Sequence, residues 1–462
     1  MASDYNSLYQ SQKSFFHTGV TKPLSFRKEM LQKMETLVRQ YEPSLIEALH
    51  KDLRKHAQEA YMTEIGGVYE EIHFILKRLK SWMKPKTRLS PLFLFPSKGT
   101  IYPDPLGQVL IITPWNYPVL LSLRGVIGAM AAGNTIILKP SEVAAHTSAV
   151  LAEMINNNFP AEYLHVLEGD GVTVVPALLN NFHFDHVMYT GSTAVGKLIM
   201  EMCSRNLSPV TLELGGKSPC IVTAGANLKI AAKRIVWGKM VNAGQTCVAP
   251  DYLVVEESIK EDLVRLIQEE IKRGYGEDPQ QGDSYPRMVS DRRFEAVAKY
   301  LSQGKLVSGG KTDAADRYIQ PTILEDVSME DTVMKDEIFG PVLPVFTFKT
   351  DGEVLQLVEK NPYPLALYVF SGSKSRTDYF IKNIRFGGGA VNETILHLGN
   401  SKLPFGGVGY SGIGSYHGKH SFDTFTHYKS VLNRANWFEP SFRHAPFTNA
   451  KASLWKWMLG KF

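Results

Sequence analysis

Apolar residues recur at helical spacing early in the chain. Phe26, Met30, Met34, Leu37, Val38 and Tyr41 form one stripe, and Pro43 interrupts it, so a second helix is expected to start there. A further stripe, Ile65, Val68, Ile72, Ile75 and Leu79, closes near Lys84-Pro85, which makes residues 1–84 a helical region. Pro85, Pro91, Pro96, Pro103 and Pro105 then punctuate a stretch holding Leu92-Phe93-Leu94-Phe95, a pattern that suits strands of an arm better than a helix. Beyond it the period changes. Short apolar runs at 108–112, 135–138, 164–167 and 186–189 alternate with helical patterns, the rhythm of βαβ units and of a parallel sheet covered by helices. A second α/β stretch runs from Pro219 to about Asn392, with strands expected at 252–255 and 342–348 and a glycine-rich segment after it. Parallel sheets bind ligands beyond the carboxyl ends of their strands, so the loops that follow strands are where chemistry is expected.

Composition narrows the class. With 462 residues, 44% hydrophobic and 21% charged, the chain can bury sizeable cores in two or three domains. Three scattered cysteines, Cys203, Cys220 and Cys247, form no disulfide framework and no Cys-x-x-Cys pair, which fits a reducing cytoplasm and offers no metal site. No basic leader precedes an apolar core at Met1–Asn6 and no run of eighteen apolar residues occurs, so neither a signal peptide nor a membrane span is expected. The net charge of +5 is small and mixed along the chain, and nucleic-acid binding is not indicated. From Ala450, however, Leu454, Trp455, Trp457, Met458, Leu459 and Phe462 interleave with Lys451, Lys456 and Lys461. That tail suits a weak membrane-surface contact, but a helix docked on its own protein or on a partner subunit has the same pattern.

Candidate chemistry lies in the loops. Cys247, in Gly244-Gln245-Thr246-Cys247-Val248-Ala249-Pro250, has small neighbours and reads as an approachable nucleophile, although a lone cysteine is more often an inert small hydrophobe. Gly191-Ser192-Thr193-Ala194-Val195-Gly196-Lys197 follows a strand and opens a helix, the geometry in which backbone N–H groups bind phosphate. A P-loop enzyme would need Ser or Thr after Lys197 to hold magnesium, and Leu198 stands there, so a dinucleotide pyrophosphate site is the better reading. Gly407-Val408-Gly409-Tyr410-Ser411-Gly412 spells a similar motif without the strand before it and reads as a structural loop. Glu213 ends a strand just before Gly215-Gly216, at a sheet edge that can face a cleft, and Asn116 follows the first strand of the βαβ region, where an amide can donate to an oxyanion or merely cap a turn.

Taken in series, Pro114-Trp115-Asn116, Leu138-Lys139-Pro140-Ser141-Glu142, Thr190-Gly191-Ser192, Glu213-Leu214-Gly215-Gly216-Lys217, Gly244-Gln245-Thr246-Cys247 and Glu337-Ile338-Phe339-Gly340-Pro341 resemble the NAD(P)-dependent aldehyde dehydrogenases in order and rough spacing. Val248-Ala249-Pro250-Asp251-Tyr252, Leu403-Pro404-Phe405-Gly406-Gly407 and Gly414-Ser415-Tyr416-His417-Gly418 look most like the class 3 branch, associated with fatty and aromatic aldehydes. The one departure is Tyr189, where phenylalanine is common before Thr-Gly-Ser. The resemblance implies Cys247 as nucleophile, Glu213 as base for a deacylating water and Asn116, with the Cys247 N–H, as oxyanion donor. It further implies Lys139 and Glu142 at the adenosine ribose, Gly191, Ser192, Thr193, Ala194, Val195 and Gly196 under the pyrophosphate, and Glu337 with Phe339 at the nicotinamide ribose, for NAD or NADP and no metal.

The implied fold is α/β: a Rossmann-type cofactor domain at 1–84 and 104–212, a second α/β catalytic domain at 213–392, bridging and oligomerisation segments at 85–103 and 393–430, and a tail at 431–462. A cytoplasmic homodimer is expected, with the tail reaching a membrane surface or screening long-chain substrates. Two other functions are the alternatives: phosphate transfer through Gly191–Lys197, against which Leu198 argues, and a catalytically silent binding protein of the same fold, which would need a lost catalytic residue, whereas Cys247, Glu213 and Asn116 are all present.

Overall fold

Gln108–Ile112 and Thr135–Lys139 are buried at every position, as central strands covered on both faces must be, and they pair in parallel at the middle of a six-stranded sheet. The computed structural model describes residues 2–460. From Gln108–Ile112 the chain builds outward through Thr135–Lys139 to Leu164–Val166, then crosses to the other side for His186–Thr190 and Val210–Glu213. The reversal leaves a crevice between the carboxyl ends of Gln108–Ile112 and His186–Thr190, the switch point where doubly wound sheets hold ligands. A two-residue antiparallel strand, Gly412–Ile413, closes the outer edge on Glu213 and Leu212.

The second sheet has seven strands, in the order 305–308, 322–325, 342–348, 252–256, 219–222, 366–370 and 388–391, parallel except for the first. A third, three-stranded antiparallel sheet joins Lys86–Leu89, Ser97–Pro105 and Thr426–Arg434. Leu92–Leu94, expected to be extended, is a single 3₁₀ turn between the first two of these strands, because Pro91 and Pro96 bracket too short a run for a ladder.

Pro43 does not end a helix. Leu24–Leu53 is one helix through it, since Leu31, Met34, Leu37 and Val38 before the proline and Leu45, Leu49 and Leu53 after it share one buried face packed on helices Pro118–Ala132 and Ala145–Asn156. Tertiary packing outweighs the hydrogen bond that proline removes. Helix Ala2–His17 was not singled out in the sequence; Leu8, Tyr9 and Phe15 pack into the cores, and a polar residue docks it as well. The fully buried Gln12 donates to the carbonyls of Ile136 at 3.0 Å and Ala161 at 2.9 Å, and accepts from Gln108 at 3.2 Å.

Helix Asn449–Leu459 lies on its own chain: Trp455 meets Phe93 with ring centroids 6.1 Å apart and Phe442 at 5.4 Å. Lys461 and Phe462 of the expected amphipathic tail lie outside the described residues. Among the described residues no helix is long and apolar enough to cross a membrane.

Candidate active site

The nucleophile loop is built from backbone that few sequences allow. After helix Leu228–Met240 the chain makes three left-handed residues, Asn242, Ala243 and Gly244, with φ of 54°, 52° and 75°. A Cβ at Gly244 would stand 2.3 Å from the carbonyl oxygen of Gly340, so the glycine lets this loop meet the Glu337 loop. Gln245 then locks the turn. It is fully buried, donates to the carbonyls of Asn242 and Arg287, both at 3.0 Å, and accepts from the Val289 N–H at 3.0 Å. Thr246 shares a 2.6 Å hydroxyl bond with Tyr117. Cys247, the next residue, is only partly buried and sits on the wall between two cavities. Burial, then the carboxylates of Glu337 and Glu213, push its thiol pKa up, while backbone N–H groups pull against them, so the resting group is the thiol.

Asn116 faces the same point. Its side chain is buried, with Nδ2 donating to the Gln245 carbonyl at 3.0 Å, and its own carbonyl accepts from Lys55 Nζ at 3.0 Å and from Asn242 at 2.8 Å. Lys55 and Glu64 were not singled out by the sequence. They form a fully buried 2.6 Å pair, and the other Glu64 oxygen accepts the Val119 N–H at 2.8 Å, at the positive end of helix Pro118–Ala132. The loop carrying Asn116 is thereby fixed from the helical N-terminal region, a link no local pattern announces.

Glu213 ends strand Val210–Glu213 beside Thr190 and Gly412 and is buried, with neither carboxylate oxygen hydrogen-bonded among the described residues. Burial raises its pKa well above the usual carboxylate range. Glu337 reaches the same space because Gly215 has no side chain: a Cβ there would be 2.0 Å from Glu337 Oε2. Its loop is tied by Asp251, which accepts the Ile338 N–H at 3.2 Å and pairs with Lys217 at 2.6 Å. Burial, with the Asp251 charge, raises the Glu337 pKa, and burial lowers that of the neighbouring Lys239 to about 8.

The larger cavity, about 670 Å³, lies at the switch point. It brings together Asn116, Gly191, Ser192, Thr193, Ala194, Glu213, Cys247, Glu337 and Phe339, and Trp115 stands edge-on to Phe339 at 5.3 Å. Ser192 caps helix Thr193–Arg205, accepting from the Val195 N–H, so the first backbone donors of that helix open on the cavity beside a glycine. This fits a dinucleotide pyrophosphate. Four expected cofactor residues are off its wall. Gly196 is buried against Leu214, Val195 is exposed on the helix, and Lys139 and Glu142 form a 2.9 Å pair at the end of the neighbouring strand. The smaller cavity, about 200 Å³, opens on the other side of Cys247 and is mostly apolar, with Leu120, Trp237, Leu396, Phe405 and Tyr416 among its walls. Among the described residues no cluster of His, Cys, Asp or Glu is arranged to hold a metal ion.

Known proteins resemble this chain in sequence and fold. The family described as "Aldehyde dehydrogenase family" matches residues 1–431. A 4,4'-diaponeurosporen-aldehyde dehydrogenase of Staphylococcus aureus is 46% identical over 441 residues, 95% of this chain and 96% of its own, and a mouse "Aldehyde dehydrogenase, dimeric NADP-preferring" is 41% identical over 94% and 95%. The solved "Substrate bound state of Staphylococcus Aureus AldH" superposes with a TM-score of 0.96 at 44% identity, covering 98% of this chain and 99% of that one.

Proposed function

This chain belongs to the aldehyde dehydrogenase family, whose enzymes oxidise aldehydes to acids with NAD or NADP, and we propose that it does so with Cys247 as the acyl-carrying nucleophile. The observation that carries this reading is the meeting of Cys247, Asn116 and Glu213 between a cofactor-sized cavity and an apolar one. An aldehyde entering from the apolar side meets the sulfur. Loss of the thiol proton to water in the cavity gives the thiolate, and its attack on the carbonyl carbon makes a tetrahedral thiohemiacetal whose oxyanion is held by Asn116 Nδ2 and the Cys247 N–H. The bound cofactor supplies the acceptor for the hydride this intermediate releases. Glu213 then takes a proton from a water that cleaves the resulting thioester, and its raised pKa makes it an effective base near neutral pH. Gly191, Ser192, Thr193 and Ala194 would hold the pyrophosphate, Glu337 and Phe339 the nicotinamide ribose, and Lys139 with Glu142 the adenosine ribose, with Val195 and Gly196 shaping the helix start.

The apolar cavity favours medium- or long-chain aliphatic or aromatic aldehydes. The decisive assay is purified enzyme with NAD or NADP and a panel of such aldehydes: reduced nicotinamide is expected, and none with any member would end this reading. The phosphate-transfer alternative is not favoured, since Leu198 is an exposed apolar residue on the helix where a metal-binding hydroxyl would be required. Asn116→Ala is expected to lower kcat/KM on the order of 100-fold, about 3 kcal/mol for one lost oxyanion donor, with residual activity retained.

Against the cost of burial, its own and the Gly171 N–H groups and Lys139 hold the Glu142 pKa down, and at the adenosine ribose it would place a negative charge near a 2′-phosphate. Glu142→Gln should raise the NADP-to-NAD ratio of kcat/KM about five-fold, as removal of an exposed like charge would. A cytoplasmic homodimer through the three-stranded sheet also belongs to this proposal, supported by the exposed Leu89, Val431 and Leu432 and by the mouse relative named as dimeric. Helix Asn449–Leu459, beside that sheet, would then screen long-chain substrates or touch a membrane surface.

A further inference from the structure

The apolar cavity contains one group that binding a simple hydrocarbon chain does not explain. Arg124, on helix Pro118–Ala132, is 4% exposed and lines the cavity, and its Nη2 lies 3.6 Å from where a Cβ of Gly67, another lining residue, would be. Its Nη1 donates to Nε2 of His417 at 2.9 Å, which requires that ring nitrogen to carry no proton. Burial first, then the Arg124 charge, hold His417 neutral, and the ring is stacked on Phe405 at 5.0 Å, so this acceptor is fixed in place. Arg124 Nε is buried with no hydrogen-bond partner, and its nearest acid, Glu71 Oε2, is 3.6 Å away, an ion pair rather than a hydrogen bond. Glu71 is itself occupied by the Gly418 N–H at 2.6 Å and Ser401 Oγ at 3.2 Å. A guanidinium has five N–H donors, and only one is used among the described residues. Nε is closed off against Glu71, so the donors that an oxygen entering the cavity can meet are those of Nη2, beside Gly67 on its wall.

We propose that Arg124 is a specificity-determining residue that donates a hydrogen bond to a second, uncharged oxygen on the aldehyde, so that the preferred substrates carry a ketone or hydroxyl along the chain. The second oxygen is uncharged because Glu71 already balances the guanidinium, and a carboxylate would leave a net negative charge in an apolar cavity. This inference rests on the aldehyde-oxidising reading above.

The test uses the full-length enzyme with NAD and chain-matched pairs from butanal to decanal, each alkanal set against its keto and hydroxy counterparts. At one chain length the oxygenated member should exceed the alkanal about tenfold in kcat/KM, since a site built to hydrogen-bond an oxygen rejects the analogue lacking it. Arg124→Met should bring that ratio close to one, chiefly through KM. If Arg124→Met leaves Glu71 unpaired and fails to fold, Glu71→Gln combined with Arg124→Met removes both charges and is read in the same way. The assignment is overturned if no oxygenated member is preferred, if the ratio survives the loss of Arg124, or if the carboxylate counterpart outperforms the ketone. Alkanals oxidised without any such preference would leave the enzyme reading intact; no oxidation of any aldehyde would remove both.

Discussion

Cys247→Ser abolishes product formation, with kcat/KM expected to fall on the order of 10⁴-fold or more, as for loss of a nucleophile in other covalent enzymes. The effect is chemical because the loop does not depend on the sulfur. Its left-handed turn is held by Gln245, Asn242 and the Thr246–Tyr117 bond, none of which involves the Cys247 side chain. Titration of cofactor fluorescence should therefore give an unchanged Kd, while mass spectrometry of enzyme mixed with aldehyde and cofactor should find an acyl adduct on the parent and none on the variant. Activity close to the parent's would remove Cys247 from the mechanism.

Glu213→Gln is expected to separate the two halves of the reaction. One equivalent of reduced nicotinamide should form rapidly and turnover should then stall, since the thioester persists when no base activates water. In the parent enzyme the acid limb of kcat should lie above the usual carboxylate range, because burial raises the Glu213 pKa and the base works only when ionised. The same burial has a stability consequence. Below the unfolded value of 4.5 the group is protonated in both states and contributes nothing. As pH rises from there toward the raised folded value, the unfolded chain ionises first, and the folded state loses stability that it does not regain above that pH. Glutamine removes the penalty, so Glu213→Gln should raise the unfolding midpoint near neutral pH by about 2 °C, with the difference vanishing below about pH 4. Steady multiple turnover by the variant, or a lowered midpoint at neutral pH, would show that Glu213 is not a destabilised base.

Much of this was legible in the chain. Five strands of the first sheet and two of the second, at 252–255 and 342–348, were marked by short apolar runs, and Gln108–Ile112 appears with the bounds its pattern implied, whereas 305–308, 322–325, 366–370 and 388–391 were not marked. Cys247, Glu213 and Asn116 were legible because each lies in a compact motif directly after a strand or turn. What escaped has a common cause: polar groups joined over long distances. Gln12 helps to dock the first helix on the sheet, and Lys55 with Glu64 braces the Asn116 loop although none of them sits in a recognisable motif. Lys217 was within the Glu213 motif, yet its partner Asp251 is reached only once the second sheet forms. Pro43 misled for the converse reason, since a local rule was overruled by the face on which the helix packs.

The edge strand Gly412–Ile413 bears on how the protein is made. It pairs with Glu213 and Leu212, and Ser411 accepts the Leu214 N–H at 3.0 Å, so the strand that ends in Glu213 gains its outer neighbour from a segment made about two hundred residues later. Until then the nascent cofactor sheet presents an unpaired rim, a template for pairing with other chains during synthesis. Protection from aggregation and completion of the sheet edge at Glu213 thus arrive together, in the same two residues.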